Sequence, residues 1–454
     1  MSADKDKGKN GDDGKTVVKP RSKQSAVPTG RVGRFARVAR LTAGVAGGML
    51  AESTRQWRAG NRPRRRDLLL TPGNAKRVAD QLADMRGAAM KLGQILSMDN
   101  GDMLPRELAD ILGRLRSEAS AMPESQLHAA MTEAYGADWE SLFSEFDRNP
   151  IAAASIGQVN RAVDQDGREL ALKIQYPGVA KSIRSDVDNI ATVLRMSGLL
   201  PAGVDMTPLL EDAKSQLEDE ANYMKEADFL KAFHDVLADD DRFIVPALQP
   251  ELTRRNVLAM SYVAGGPIEE LVRKPQAERD RVMTALVELM LTELFKLRLV
   301  QTDPNFANYQ YRFATGDIVL LDFGATRAFK ARFVNNYRKL AAAAIAGDRK
   351  RMVEAAEKVG YAMGDEDSVY RELVLELLLL VLEPLRFEGD YDFAASDMPA
   401  RLTELAQSAA SHSDFWHAPP TDVVYFHRKV GGMYMLASRM GARVNANKLM
   451  REWL

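Results

Sequence analysis

The sequence contains no cysteine, which removes disulfides, thiolate zinc sites, iron–sulfur clusters and thiol nucleophiles from consideration. Histidine is almost as scarce: His128, His234, His412, His417 and His427 are the five, and no two stand at the i, i+4 or HExxH spacing of a metal site. Uncharged apolar runs are short. The one from Leu41 to Ala51 falls well below the roughly 20 residues that cross a bilayer, so the sequence predicts no transmembrane helix. It lacks the cleavage context of a secretory signal, and the acids in MSADKDKGKNGDD do not suit a transit peptide. What remains is a chain of 454 residues, 46% hydrophobic and 28% charged, a globular profile too long for one ordinary core and therefore of two lobes or domains.

A net charge of -1 hides an asymmetry: residues 1–66 carry 17 Lys or Arg against 5 Asp or Glu, a balance of +12, which leaves -13 for residues 67–454. The first thirty residues have almost nothing to bury and are predicted to be disordered. From Arg31 the chain interleaves Arg31, Arg34, Arg37 and Arg40 with Phe35, Leu41, Val45, Met49 and Leu50. Arginines attract anionic headgroups while such apolar side chains enter the interface, so this arm is predicted to lie on an anionic membrane surface rather than to serve as a nucleic-acid tail. A second apolar stretch, around Leu377 to Leu382, is the alternative place for a membrane contact.

From Ala75 to Met98 the residues Val78, Leu82, Met85, Ala89, Leu92 and Leu96 form one helical seam, beside which Gly87, Lys91 and Gln94 make a narrow polar stripe. Helices are also predicted at Pro105–Arg116 and Glu124–Tyr135. After Pro150 the period becomes two: IAAASIGQVNRAVDQDGRELALKIQY reads as strand, Asp166-Gly167 turn, strand. Leu170, Leu172 and Ile174 then share one face and Lys173 takes the other. The small residues Ala152, Ala153, Ala154 and Ser155 of the first strand, with Gly157, allow a ligand close to the backbone. Leu209–Phe233 reads as one long acidic helix carrying Glu220, Asn222 and Glu226. A strand through Leu258, Met260 and Tyr262 ends at Gly265-Gly266-Pro267, a break suited to a connection between lobes.

The stretch LVQTDPNFANYQYRFATGDIVLLDFGATR follows a helix predicted over Ala277–Arg298. It sets Asp303 and Asn308 five apart in a loop, then a hairpin, then an apolar strand ending in Asp322-Phe323-Gly324. Phosphoryl transfer needs oxygen-bearing side chains to hold the divalent metal that bridges phosphates, and a further carboxylate near the attacking oxygen. Asn308 and Asp322 are the candidate metal ligands and Asp303 the further carboxylate. The Asp-Phe-Gly triplet alone is weak; preceded by Asp-x4-Asn, with a strand lysine and a helix glutamate upstream, it is specific.

Taken together, Lys173 in ALKIQYPGV, Glu226 in NYMKEA, Asp303 and Asn308 in QTDPNFAN and Asp322 in LLDFGATR resemble the protein-kinase set. AAMKLGQILS around Lys91 and Gln94, the alanine-rich AAASIGQV in place of a glycine-rich loop, and FHRKVGGMYML near the C-terminus are similar to the UbiB family of atypical kinase-like proteins, the AarF or coenzyme-Q-biosynthesis group. The likeness runs from about Arg31 to the end, and QTDPNFAN looks closest to the branch of mitochondrial coenzyme Q accessory ATPases.

That resemblance implies an α+β, two-lobed protein-kinase-like fold: a basic arm over 1–66, a helical KxGQ extension over 67–149, an N lobe over 150–265 and a mainly helical C lobe over 266–454. It implies ATP or ADP with Mg2+ as cofactors. Lys173 would hold the α- and β-phosphates and pair with Glu226, and Asp303 would take the catalytic-base position. Ala152 to Ser155 would cover the phosphates, and main chain from Ser261 to Val263 would meet the adenine. Lys91 and Gln94 would reach the active site, and the family's ExD motif falls on Glu220-Ala221-Asn222, with an amide in place of its second carboxylate. The implied partners are adenine nucleotide, anionic membrane lipids and lipid-modifying enzymes of ubiquinone biosynthesis, with no nucleic acid. The implied location is cytoplasmic, peripheral to the inner membrane. After Gly324 the chain runs through ATRAF almost directly into a helix, without an Ala-Pro-Glu motif, so no peptide platform is predicted and ATPase action is favoured over protein phosphorylation. A kinase for a small molecule, lipid precursor or protein, and a nucleotide-binding pseudokinase without turnover, are the alternatives.

Overall fold

The computed structural model describes residues 121–196, 207–303, 305–365, 368–410 and 420–454. The basic arm, the seam with Lys91 and Gln94, and the helix predicted at Pro105–Arg116 lie outside the described residues.

The first described helix is α1 (Glu124–Tyr135), as the periodicity predicts. An antiparallel ribbon follows: β1 (Phe143–Ala153), β2 (Gly157–Asp164) and β3 (Glu169–Gln175). Its strands do not begin where the change of period suggests. β1 starts at Phe143, before Pro150, and breaks register beside Pro150, whose ring nitrogen has no hydrogen to give the ladder. The stretch from Ile151 to the Asp166-Gly167 turn, read as one strand, is a strand end, a turn at Ala154–Ile156 and a second strand, closed by the Ala154 amide donating to the Gly157 carbonyl at 2.9 Å. Four small residues in a row carry no period, so alternation could not reveal the reversal. The Asp166-Gly167 turn is as predicted, with Gly167 at φ 79° in the left-handed region.

α2 (Val179–Met196), α3 (Thr207–Glu220) and α4 (Tyr223–Val236) come next. The single helix predicted over Leu209–Phe233 is therefore two. At Ala221–Asn222 the helical ladder is exchanged for tertiary partners: the Gln175 amide group donates to the Ala221 carbonyl at 3.0 Å, and the Tyr223 amide donates to the Arg255 carbonyl at 3.1 Å. Asn222 then stands at the N-cap of α4, a position asparagine favours over a helix interior. The Ala221 carbonyl and the Tyr223 amide are thus satisfied across the break, which lowers its cost.

β4 (Phe243–Ile244) and β5 (Val257–Ser261) follow. β5 completes the first sheet in the order β1-β2-β3-β5, while β4 leaves that region of sequence to pair in parallel with a strand of the second sheet. Beneath the first sheet, Leu170, Leu172 and Ile174 pack on Leu127, Met131, Trp139 and Phe143. Each such buried side chain contributes roughly 1.5–3 kcal/mol relative to exposure. The opposite face, with Ala171, belongs to the main core shared with α2, α3 and α4.

The second sheet, in the order β4-β9-β8-β6, is built from β6 (Gly266–Pro267), β8 (Tyr309–Arg312) and β9 (Asp317–Leu320) around β4. Between β6 and β8 run α5 (Gln276–Thr292), a π-helical turn over Glu293–Leu297 and β7 (Leu299–Gln301). The Gly-Gly-Pro break is thus a strand as well as a connection. A Cβ on Gly265 would lie 2.9 Å from Gln310, and one on Gly266 2.9 Å from Phe313, so close approach explains both glycines. The helix predicted to continue to Arg298 gives way to the π turn, which closes at Arg298 with φ 56°.

β10 (Thr326–Ala328) pairs with β7, and the rest is helical: α6 (Ala331–Ala346), α7 (Arg349–Val359), α8 (Val369–Val381), the short α9 (Glu383–Arg386), α10 (Met398–Ala410), α11 (Thr421–Met440) and α12 (Ala446–Arg451), with the two-residue strands β11 (Tyr391–Asp392) and β12 (Arg443–Val444) paired between them. Leu375, Leu378, Leu380 and Leu382 are buried in the core. In the stretch around Leu377 to Leu382, Leu378, Leu380 and Leu382 are thus committed to packing, while Leu377, Leu379 and Val381 are half-buried. No helix of the described residues is long and apolar enough to cross a membrane.

Candidate nucleotide and metal site

The site forms where the two sheets face each other. Lys173 sits in β3, opposite Val159 of β2 and Leu258 of β5, with its Nζ 2.7 and 3.0 Å from the two carboxylate oxygens of Glu226 on α4 and 3.3 Å from Asp322 Oδ1. The Tyr223 ring lies 5.4 Å from the same Nζ. Phe323 is buried and its ring centre is 4.9 Å from that of Phe233, so the Asp-Phe-Gly segment is packed directly onto the helix that carries Glu226. Gly324 donates its amide to Asp322 Oδ1 at 2.9 Å, and a Cβ there would lie 3.1 Å from Glu226 Oε2. The glycine is what lets the Glu226 and Asp322 carboxylates share one ammonium.

Two carboxylates around one buried cation set the charges. Burial works against the Lys173 ammonium, but Asp322 and Glu226 outweigh it and hold its pKa well above the usual lysine value. Burial likewise works against charge on Asp322, yet Lys173 and the Gly324 amide keep that carboxyl below its ordinary range. Glu226 takes the remainder of the conflict: burial, with the charge of Asp322 beside it, pushes it up to about 7 against the pull of Lys173. Glu226 thus holds a proton more readily than a solvent-exposed carboxyl does.

The second half of the site is the loop between β7 and β8. Asn308 Nδ2 donates to Asp303 Oδ2 at 3.3 Å, and the Leu321 amide donates to the Asn308 carbonyl at 3.1 Å. The β8–β9 hairpin pairs Tyr309 with Leu320, so Asn308 and Asp322 flank the same end of that ladder. With its Nδ2 given to Asp303, Asn308 keeps Oδ1 for a ligand. Asp322 has its Oδ1 on Lys173 and Gly324, and 37% of its side chain is exposed. These are hard oxygen donors, which suit magnesium. No cluster of three or more metal-binding side chains occurs among the described residues. Two protein oxygens fit an ion that completes its shell with water and substrate phosphates, the usual magnesium arrangement.

In the alanine-rich turn Ala152 and Ala153 are exposed and Ala154 and Ser155 half-buried. Ser155 Oγ donates to Glu220 Oε2 at 3.5 Å, which ties the turn to the end of α3. At the end of β5 the Ser261 amide is committed to the Ala247 carbonyl and the Tyr262 amide to the Glu169 carbonyl, both at 2.9 Å. Val263 has no backbone partner among the described residues. Past Gly324 the chain enters β10 and then α6 at Ala331, as the motif spacing predicts.

Two residues of the site were not singled out by sequence reasoning. Arg428 and Lys429 of α11 are buried; Arg428 Nη2 lies 3.1 Å from Asp303 Oδ1, and Lys429 Nζ lies 3.0 Å from the Tyr309 hydroxyl and 2.9 Å from Glu293 Oε2. The signal was present as two adjacent cations in an otherwise apolar helix, FHRKVGGMYML. Their partners lie more than a hundred residues away, so spacing could not name them.

Residues 114–356 match the ABC1 atypical kinase-like domain. The chain is 38% identical over 441 residues to "Atypical kinase coq-8, mitochondrial" of Caenorhabditis elegans, covering 95% of this chain and 58% of that protein. It is 36% identical over 430 residues to "Atypical kinase COQ8, mitochondrial" of Saccharomyces cerevisiae, covering 95% of this chain and 86% of the yeast protein. Among solved structures, the complex of Rv3197 with erythromycin from Mycobacterium tuberculosis superposes with a TM-score of 0.58 at 26% identity, over 84% of this chain and 96% of that one. With its strand lysine, helix glutamate and Asp-Phe-Gly segment in contact and its Asp-x4-Asn loop joined to the same hairpin, the chain belongs to the ABC1 atypical kinase-like family, the UbiB group that its motifs resemble.

Proposed function

We propose that the protein binds ATP with Mg2+ and hydrolyses it in support of ubiquinone biosynthesis at a membrane surface. The observation that carries this reading is the charged cluster of Lys173 with Glu226 at 2.7 Å and Asp322 at 3.3 Å, at the end of the hairpin that also follows the Asp303–Asn308 pair. Lys173 would meet the α- and β-phosphates, Asn308 and Asp322 would hold the metal, and the metal would neutralise charge on the phosphates. Ala152 to Ser155 would cover the phosphates, and Glu220 would steady that turn through Ser155. Lys91 and Gln94 would reach the active site. Hydrolysis is favoured over protein phosphorylation by the short path from Gly324 to α6, whose β10 strand is pinned to β7 and leaves little chain for a peptide platform. The link to ubiquinone rests on the names of the nematode and yeast relatives. The membrane reading rests on the +12 arm, residues 1–66, with its interleaved apolar side chains.

Phosphate release measured with and without anionic liposomes, beside transfer of labelled γ-phosphate to candidate acceptors, tests the proposal. Release that lipid stimulates, with no labelled acceptor, supports it. Stoichiometric labelling of an acceptor makes the protein a kinase, and nucleotide binding without either makes it a pseudokinase. Deleting residues 1–66 is expected to abolish sedimentation with anionic vesicles, and unchanged sedimentation would place the contact elsewhere.

A further inference from the structure

The two adjacent cations of α11 grip opposite ends of one loop. Successive helical residues point about 100° apart, and here Arg428 reaches Asp303 Oδ1 at 3.1 Å while Lys429 reaches the hydroxyl of Tyr309 at 3.0 Å. Between these two anchors stands Asn308. The Arg428 side chain is 4% exposed and that of Asp303 16%, so their contact is shielded from solvent. A terminal amide carries one acceptor and one donor end, and only the acceptor can ligate a cation. In this structure the donor end, Nδ2, is fixed on Asp303 Oδ2. The other oxygen of that carboxylate is fixed by Arg428.

We propose that Arg428 is a positioning residue for the metal site: it locks Asp303, Asp303 locks the amide of Asn308, and the oxygen of Asn308 is thereby presented to the cation. The inference rests on the nucleotide reading above and goes beyond it by making α11 part of metal recognition. In this relay Arg428 acts through Asp303 and not by a contact of its own with nucleotide or metal. Its effect is to remove the alternative in which Asn308 turns its amino group toward the ion. Outer partners that orient metal ligands change metal affinity by roughly tenfold to a hundredfold when removed.

The test is a magnesium titration of binding of a fluorescent ADP analogue to the full chain, with a parallel titration of the analogue in chelator. Arg428→Met is expected to shift the magnesium dependence to higher concentration by roughly tenfold or more, with metal-free affinity unchanged. In an Asp303→Ala background the same substitution is expected to add almost nothing, because the relay is already cut. Arg428→Lys keeps the charge but loses the planar fork and is expected to fall between; if the methionine variant does not fold, this variant must still shift the titration. An unshifted titration, an equal loss with and without magnesium, or a full effect retained without the Asp303 carboxylate would each overturn the proposal. A parent chain that does not bind the analogue sinks the nucleotide reading itself, one whose binding ignores magnesium sinks the metal assignment, and a magnesium-dependent parent with indifferent Arg428 variants sinks only the relay.

Discussion

Gly157 of β2 runs so close to β3 that a Cβ on it would lie 2.4 Å from the Ile174 carbonyl oxygen and 3.0 Å from the Tyr223 hydroxyl. The glycine is therefore demanded by packing of the backbone just behind the alanine-rich turn. Because the nearest atom belongs to a main chain paired on both sides, it cannot swing away. Gly157→Ala is expected to destabilise the fold by roughly 1–3 kcal/mol, the usual cost of overpacking, read as a lower urea midpoint. A midpoint within error of the parent would show that the strands separate freely.

Asp322 combines a cleft-facing position with contacts to Lys173 and the Gly324 amide. Asp322→Asn keeps the shape but removes the charge that a cation needs. Magnesium-dependent nucleotide affinity is expected to fall by at least about tenfold, or 1.4 kcal/mol, with the circular-dichroism spectrum of the folded protein retained. Unchanged binding by this variant would count heavily against the metal assignment.

Glu226 gives the fold a pH signature. Its carboxyl is pushed up to about 7, first by burial and then by Asp322, against an ordinary value of 4.5. A raised carboxyl binds its proton more tightly folded than unfolded. Its contribution is then fully present below about 4.5 and is lost as the pH rises through about 7. Replacing it by Glu226→Gln is expected to remove that part of the slope. Denaturant midpoints taken every half unit between pH 5 and 8 decide the matter: parallel profiles for parent and variant would sink the idea.

Lys429 and Glu293 form an almost fully buried ion pair, with side chains 1% and 2% exposed. Burial works against the Lys429 ammonium, but Glu293 and Tyr309 hold its pKa above the usual value. Burial raises the Glu293 carboxyl despite that partner. Removing one member leaves the other charge stranded, so Lys429→Met is expected to cost about 3–5 kcal/mol. The double substitution Lys429→Met with Glu293→Leu is expected to recover much of that loss. A double variant no more stable than the single one would mean that the π turn, and not the ion pair, carries the stability.

How much of this was legible in the sequence depends on the range of the physics involved. The sequence by itself determined the chemistry available: no thiol, scattered histidines, and the ordered set Lys173, Glu226, Asp303, Asn308 and Asp322. It also determined α1, the Asp166-Gly167 turn and the two faces of β3, because period and turn chemistry act over a few residues. Only the tertiary structure decided what depends on partners far along the chain. The break at Ala221–Asn222 exists because Gln175 and the Arg255 carbonyl replace the helical bonds it loses. The joining of β4 to the second sheet rests on Ile318 and Val319, strand partners from beyond the lobe connection. Arg428 finds Asp303 across 125 residues of chain and Lys429 finds Glu293 across 136. A buried charge is tolerated only where an opposite one meets it, and that meeting is set by how α11 packs, which no local pattern of residues can encode.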